Sequence, residues 1–195
     1  NQFASRALVG KLFWHPLRQT LNINQGPSNN GGAIGAGMFL DLMASTPLSV
    51  NSLRLASTSV PNSNFQVRMF TRAGSALGST SGSGPSSSSA GWTLHATLNV
   101  VQAATGEVSL PVSFPELQLN AGQTLGIGLV FDNAEPRYFG SGLSPLGVYS
   151  GNGLSLVSGE ARQPPFVVPS TLFVSRELVG TVYFRTAEIF KNGFE

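Results

Sequence analysis

Residues 74–100, GSALGSTSGSGPSSSSAGWTLHATLNV, decide the architecture of this chain. The Ser/Gly tract, residues 74–91, ends abruptly at Trp92, and a run follows in which apolar and polar residues alternate. A period of two is typical of a half-buried β-strand, because successive side chains point to opposite faces of a sheet. The tract is therefore either a linker between two domains or a long loop inside one domain.

The flanking sequence favours a loop inside one domain. Residues 65–74, FQVRMFTRAG, also alternate, with Phe65, Val67 and Met69 on one face. Neither side of the tract holds enough strands for a two-sheet core of its own. We predict that the two flanking runs are antiparallel neighbours joined by a flexible surface loop at residues 79–90, since the entropy of loop closure grows only logarithmically with length.

The rest of the chain repeats this pattern. About ten to twelve short apolar runs are separated by turn signals at the roughly 8–12-residue spacing of β-sandwiches. No window carries the 3.6-residue apolar stripe of a helix. We predict an all-β fold, a two-layer antiparallel β-sandwich of the jelly-roll type, with Trp92 in the core beside Leu94 and Ala96. The predicted parts are an N-terminal strand segment (1–21) that is packed on the sandwich or exchanged, the sandwich domain (22–186) and a tail (187–195).

The composition points to an exported protein. Charged residues make up 10% of the chain, against about 25% in an average globular protein, and the net charge is +2. A polar but nearly uncharged surface is common in exported bacterial proteins, so we expect an extracellular or cell-envelope location, with a signal peptide removed before Asn1. No Lys/Arg cluster indicates a nucleic-acid partner, no apolar run has the length of a membrane span, and the absence of Cys excludes disulfides and thiolate metal sites.

Several motifs carry a family resemblance. The segments GGAIGAGMFLDLMA, VRMFTRAGSALG, GWTLHATLNV, LQLNAGQTLGIGLV, RYFGSG and SRELVGTVYF occur in this order within residues 31–184. In order and spacing they resemble a β-sandwich module of exported bacterial multidomain surface and secreted proteins, and depart from it at residues 39–41 and 177–179. The ending EIFKNGFE resembles the IF-x-x-GFE tail of exported proteins of xanthomonads and lysobacters. The resemblance implies a non-catalytic accessory role.

The residues that could support catalysis are few. A Ser-His-Asp system would need His15 or His95, with Asp41 or Asp132 to orient it, yet alternation places His95 on the solvent-facing side of its strand. No G-x-S-x-G motif occurs, and Asp41, amid apolar neighbours, is expected to be a hydrogen-bonded structural acid. We predict that the chain is not an enzyme. The least favoured alternative is a hydrolase whose carboxylates, such as Asp132 and Glu135, are brought together by the fold.

Two sets of residues could bind a ligand. In FDNAEPRYF, the side chains of Asp132, Asn133 and Glu135 offer oxygen ligands at short spacing, so structural calcium is the alternative to an ordinary turn. Tyr138 and Tyr149, flanked by Gly and Ser in predicted loops, could form an aromatic platform for a sugar ring. No other cofactor is predicted.

The N-terminal run ASRALVGKLFW is strongly apolar and lies outside the family match. It is either an extra strand of its own sandwich or a strand that completes the sheet of another copy, because sheet edges present unpaired backbone groups. We predict an exported, non-catalytic protein of extracellular structure, adhesion or self-assembly, with a carbohydrate-binding module as the alternative. The candidate assembly residues are Ala7, Leu8, Val9, Leu12, Phe13 and Trp14.

Overall fold

A computed structural model shows two β-sheets packed face to face, with a small third sheet beside them. The structure describes residues 18–24, 27–140 and 147–186. All pairings between the named strands are antiparallel. The predicted all-β, two-layer antiparallel sandwich is confirmed, whereas the jelly-roll connectivity stays a prediction.

The strands are numbered in chain order. The four-stranded sheet has the order β1 (Gln19–Ile23), β14 (Gly180–Thr186), β4 (Leu48–Leu55) and β7 (Val112–Leu119). The larger sheet has the order β10 (Gly147–Gly151), β11 (Leu154–Gln163), β3 (Gly37–Ala44), β8 (Thr124–Phe131), β5 (Asn64–Ala73) and β6 (Thr93–Val101), and β12 (Thr171–Val174) also pairs with β11. The third sheet has the order β13 (Arg176–Leu178), β9 (Arg137–Gly140) and β2 (Asn30–Gly31).

The main core fills the space between the two large sheets. Its side chains follow the alternation of the sequence, and burying each Leu, Ile, Val, Phe or Met contributes about 1.5–3 kcal/mol. Phe65, Val67 and Met69 point inward as predicted, and the rings of Phe65 and Phe131 stack at 6.2 Å. Other members include Leu40, Leu42, Val50, Leu53, Ile127, Leu129, Val182 and Phe184.

Strand β1 crosses the predicted boundary between residues 21 and 22. Its five residues pair with β14, and Leu21 and Ile23 are buried in the main core. Residues 19–23 are therefore part of the four-stranded sheet. The candidate assembly residues 7–14 and the tail 187–195 lie outside the described residues.

The predicted pairing across the Ser/Gly tract is confirmed, but a β-bulge changes its register. Met69 pairs with Ala96, whereas Phe70 pairs with Leu94, so His95 is an extra residue. Because an extra residue reverses the side-chain alternation, Leu94 is 50% exposed. Trp92, which has the same phase, lies on the outer face of the larger sheet. The prediction that Trp92 and Leu94 lie in the core is therefore wrong.

Trp92 belongs instead to a second apolar cluster, the outer cluster, formed by the rings of Phe39, Phe70, Trp92 and Phe166. Phe39 is 1% exposed, and its ring centroid lies 5.6 Å from those of Trp92 and Phe166. The centroids of Trp92 and Phe166 are 5.4 Å apart. The indole Nε1 donates a hydrogen bond to the carbonyl of Pro85, in the Ser/Gly tract, at 2.8 Å. The tract therefore packs beside the outer cluster, and the flexibility of residues 79–90 stays a prediction.

Candidate functional site

Three ionisable side chains are buried on the outer face of the larger sheet. Asp41 on β3 is 6% exposed, and Glu160 and Arg162 on β11 are 3% and 0% exposed. A second β-bulge turns Glu160 and Arg162 to this outer face, because the register of β11 on β3 shifts between Ser158 and Glu160. Without the extra residue of the bulge, the side chains of Glu160 and Arg162 would point into the main core, as that of Leu156 does. We call Asp41, Glu160 and Arg162 the clasp.

Asp41 holds the start of the tract. Its Oδ1 accepts a hydrogen bond from the backbone N–H of Ala76 at 2.6 Å, and its Oδ2 accepts one from the hydroxyl of Ser75 at 2.5 Å. The opposite residue on β8 is Gly126, where a Cβ atom would stand 2.8 Å from the nitrogen of Ala76. Only glycine leaves room for the tract here, and the prediction of a structural acid at Asp41 is confirmed.

Arg162 holds the middle of the tract. Its Nε donates to the hydroxyl of Ser86 at 2.9 Å, its Nη2 to the carbonyl of Thr80, and its Nη1 to the carbonyl of Ser81 at 3.3 Å. Nη1 also donates to the hydroxyl of Ser170 at 2.6 Å, beyond β11. Burial lowers the pKa of this guanidinium, and the charge of Glu160 opposes that shift.

Glu160 lies between these two anchors. Its Oε1 accepts hydrogen bonds from the N–H groups of Gly78 at 2.6 Å and Ser79 at 2.9 Å. Burial raises the pKa of the carboxyl, while these hydrogen bonds and Arg162 counteract the rise. A buried carboxyl with a raised pKa is also typical of catalytic acids. Here Oε1 accepts hydrogen bonds from two tract amides, whereas Oε2 is buried without a partner among the described residues, and the contacts of Oε1 support a role in holding the tract.

The side chains of two of the three predicted calcium ligands, Asp132 and Asn133, have other partners. Both carboxylate oxygens of Asp132 accept hydrogen bonds from Arg68, at 2.7–3.0 Å, and this interaction raises the pKa of the guanidinium. The amide oxygen of Asn133 accepts a hydrogen bond from the N–H of Gln66 at 2.7 Å. The N–H of Glu135 donates to the hydroxyl of Thr58 at 3.4 Å. Within residues 18–24, 27–140 and 147–186, no three His, Asp or Glu side chains gather in a group that could hold a metal ion.

The two tyrosines do not form a loop platform. Tyr138 lies on β9, is 3% exposed and donates its hydroxyl to the carbonyl of Gly31 at 2.9 Å. Tyr149 lies half-buried on β10 and donates its hydroxyl to Glu177 Oε2 at 2.5 Å. Burial and that carboxylate raise the pKa of the Tyr149 phenol. The expectation of exposed loop rings is wrong, since the Gly and Ser neighbours that indicated loops belong to short strands.

His95 is not simply solvent-facing. The bulge turns its half-buried ring toward the segment at the start of β7, where Nε2 lies 2.7 Å from the carbonyl oxygen of Pro115 and the ring meets the edge of Phe114 at 6.0 Å. The ring helps to close one side of the sandwich. His15 lies outside the described residues.

A cleft of about 330 Å³ opens where the third sheet meets the ends of β11 and β12. The guanidinium carbon of Arg176 lies 5.8 Å from the ring centroid of Tyr138 and 5.7 Å from that of Phe173. Its Nη1 donates to the carbonyl of Val174 at 3.0 Å. Sequence analysis missed this site because four separate segments supply its walls, among them Gly31, Gly32, Tyr138, Gln163, Phe173 and Arg176.

Two polar atoms of the cleft residues are buried without a partner. Arg176 Nε and Gln163 Oε1 are both inaccessible to solvent, and neither forms a hydrogen bond in the described part of the chain. The amide nitrogen of Gln163 donates to the carbonyl of Ile34 at 3.1 Å, which fixes the side chain. Leaving such groups unpaired costs about 1–3 kcal/mol each.

Comparison with known proteins gives no further assignment. No protein-family model matches the chain, and no curated protein resembles it significantly. In the described part of the chain, no helix has the length and apolar character needed to cross a membrane. The site geometry and the sequence therefore carry the functional argument.

Proposed function

We propose that this chain is an exported, non-catalytic β-sandwich protein that acts in extracellular or cell-envelope structure, through adhesion or self-assembly. The observation that carries the proposal is the clasp. Three acidic or basic side chains are buried among the described residues, Asp41, Glu160 and Arg162, and all three bind the Ser/Gly tract. Side chains that resemble catalytic candidates by burial thus serve to fix a surface segment. The low charge content and the resemblance to exported surface modules support the location.

We also propose a jelly-roll connectivity. The order β1-β14-β4-β7 in one sheet faces β3-β8-β5-β6 in the other. Eight strands divided in this way between two sheets support a jelly roll, in which two Greek keys are folded together. On this interpretation, β9 to β13 form an insertion between the last two strands of the roll.

Self-association is supported by the place where the apolar N-terminal run joins the sandwich. Residues 7–14 are followed closely by β1, which pairs within the described residues with β14 alone. An edge strand presents unpaired backbone groups that a strand from another copy can bind. Few charges oppose the approach of two copies, because the net charge is only +2.

Sedimentation velocity over a range of protein concentrations tests this proposal. The full chain is expected to form concentration-dependent oligomers, and a chain lacking residues 1–14 is expected to stay monomeric. Removal of residues 187–195 is the control, and it should leave association unchanged. A full chain that stays monomeric at high concentration would contradict self-association.

Glycan binding is the second candidate function, and the cleft favours it. The loop tyrosines proposed from the sequence are hydrogen-bonded within the fold. The cleft instead combines the ring of Phe173 and the guanidinium of Arg176 in a space of about 330 Å³, at the lower end of the range of ligand sites. Binding of soluble sugars by calorimetry tests this function, and no heat with any sugar would contradict it.

A further inference from the structure

The two large sheets have four edges, and two of those edges are unsuited to pairing with another strand. In the larger sheet, β6 carries the bulge at His95. In the four-stranded sheet, β7 holds Pro115 and Glu116 in its middle. Bulges, prolines and charged side chains are the features by which natural edge strands avoid edge-to-edge association. The other two edges, β1 and the pair β10 and β12, have none of these features.

The strands β10 and β12 together form one long edge. β12 pairs with residues 160–163 of β11, and β10 pairs with residues 154–158. The two strands therefore lie end to end and run in the same direction, and within the described residues neither pairs with a further strand. We call β10 and β12 the composite edge. Its five and four residues make nine, whereas β1 has five.

The composite edge exposes two apolar side chains on one face. Val148 is 63% exposed and Val174 is 48% exposed. Val148 lies opposite Val157, which in turn lies opposite Asp41. Val174 lies opposite Glu160, and directly opposite residues share a face of the sheet. Both valines therefore point to the outer face, and together with the unpaired backbone groups of the edge they favour the addition of an apolar strand.

The N-terminal run matches this edge in length and character. Residues 7–14, ALVGKLFW, are eight in number, and Lys11 is their only charged side chain. The described residues begin at Arg18, and β1 begins at Gln19. The side-chain oxygen of Gln19 accepts a hydrogen bond from Asn152, directly after β10, at 2.9 Å. The run therefore joins the sandwich at one end of the composite edge.

The same copy cannot receive the run as an antiparallel strand along the whole composite edge. That arrangement would place Trp14 beside Thr171, about 30 Å from Asn152 at about 3.3 Å per residue. The five residue steps from Trp14 to Gln19 span at most about 18 Å. A second copy sets no such limit. Antiparallel pairing, which all the named strand pairs adopt, is also slightly the more stable arrangement.

We propose that residues 7–14 of one copy add as an antiparallel strand to the composite edge of a second copy. Val148 and Val174 pack against the apolar side chains of the added strand. This inference rests on the self-association proposed above and adds the surface that receives the run. Each copy carries one run and one composite edge, so association either closes as a reciprocal dimer or continues as a chain of copies.

Sedimentation velocity of full-length variants tests the inference. The edge variant is Val148→Lys with Val174→Lys, which removes two apolar contacts and places two cations against a strand that contains Lys11. The run variant is Val9→Pro with Leu12→Pro, which removes two N–H donors from the added strand. Each variant is expected to weaken association at least tenfold.

The control variant carries the same added charge elsewhere. It is Val60→Lys with Leu110→Lys, at two apolar residues that are 71% and 49% exposed. Val60 lies in the connection between β4 and β5, and the N–H of Leu110 donates to the carbonyl of Val101 at the end of β6, at the opposite edge of the larger sheet from β10. This variant should associate as the natural chain does.

A mixture of the edge variant and the run variant gives the sharpest readout. The first retains an intact run and the second an intact composite edge, so the mixture should form a heterodimer at concentrations where each variant alone is monomeric. A mixture that stays monomeric, with circular dichroism showing both variants folded, would overturn the inference. An edge variant that associates as tightly as the natural chain would also overturn it, while leaving self-association in place. A natural full chain that stays monomeric would overturn both proposals.

Discussion

Replacing Arg162 with methionine tests whether the Ser/Gly tract is part of the folded core. Methionine keeps the unbranched stem of arginine but removes every donor of the guanidinium. The change leaves the carbonyls of Thr80 and Ser81 without this donor and takes one hydrogen bond from the hydroxyls of Ser86 and Ser170. Those hydroxyls keep other partners, Ser79 and the carbonyl of residue 167, and Thr80 and Ser81 are exposed residues whose carbonyls can accept hydrogen bonds from water instead.

The expected loss of stability is about 3–5 kcal/mol. The loss comes chiefly from Glu160, whose buried carboxyl loses the nearby guanidinium, because removing one charge of a buried pair costs about 3–5 kcal/mol. A sum over all the lost hydrogen bonds would overstate the effect, because removing the guanidinium also removes the cost of burying its charge. The matched control is Arg185→Met, whose ion pair with Glu116 is exposed and 3.9 Å long and contributes at most about 1 kcal/mol.

Urea denaturation with two probes measures the effect. In a Trp14→Phe background the only remaining tryptophan is Trp92, so its fluorescence reports on the outer cluster and far-ultraviolet circular dichroism reports on the sheets. Both transitions should move to lower urea in Arg162→Met, with the fluorescence transition moving at least as far as the other. A loss of less than 1 kcal/mol, equal to that of Arg185→Met, would refute a tract held by Arg162.

Three further predictions concern other parts of the fold. Glu160→Gln removes a group whose pKa is raised by burial. As the pH rises from the ordinary pKa of Glu through the raised one, the free energy of unfolding of the natural chain should fall, whereas that of the variant should not. Equal pH dependence in the two chains would contradict the assignment. Because the chain has no Cys, the variants Leu94→Cys and Leu98→Cys each carry a single thiol. The thiol at residue 94 should react rapidly with a maleimide, and the thiol at residue 98 should be protected. A protected thiol at residue 94 would exclude the bulge at residue 95. Calcium should leave the thermal midpoint unchanged, since Arg68 occupies both oxygens of Asp132, and a rise reversed by chelator would contradict this.

The sequence was sufficient for the fold class because alternation reports directly on which face of a sheet is buried. Phe65, Val67 and Met69 point inward as their spacing predicts. The spacing failed at Trp92, since a β-bulge adds one residue without changing the composition of the strand. No local pattern marks His95 as the extra residue, and the register becomes visible only against the partner strand β5.

The candidate site was harder to predict for a related reason. The alternation of the sequence predicts that Glu160 and Arg162 point inward, and only the bulge after Ser158, which the sequence does not reveal, turns them outward. The Ser/Gly tract has the composition of a disordered linker, and its order comes from acceptors and donors that lie far away in sequence. In the Asp132 loop, the sequence shows side-chain oxygens at short spacing, and only the structure shows that both oxygens of Asp132 accept hydrogen bonds from Arg68.

Amide hydrogen exchange of residues 75–91 tests most directly the central claim, that buried charged side chains fix this tract on the sheet. The N–H groups of Ala76, Gly78 and Ser79 donate to carboxylates, and that of Ser86 donates to a serine hydroxyl. These four amides should be protected in the natural chain and lose that protection in Arg162→Met or Asp41→Asn before the strands do. Exchange of all four at the rate of an unstructured Ser/Gly peptide would contradict the claim.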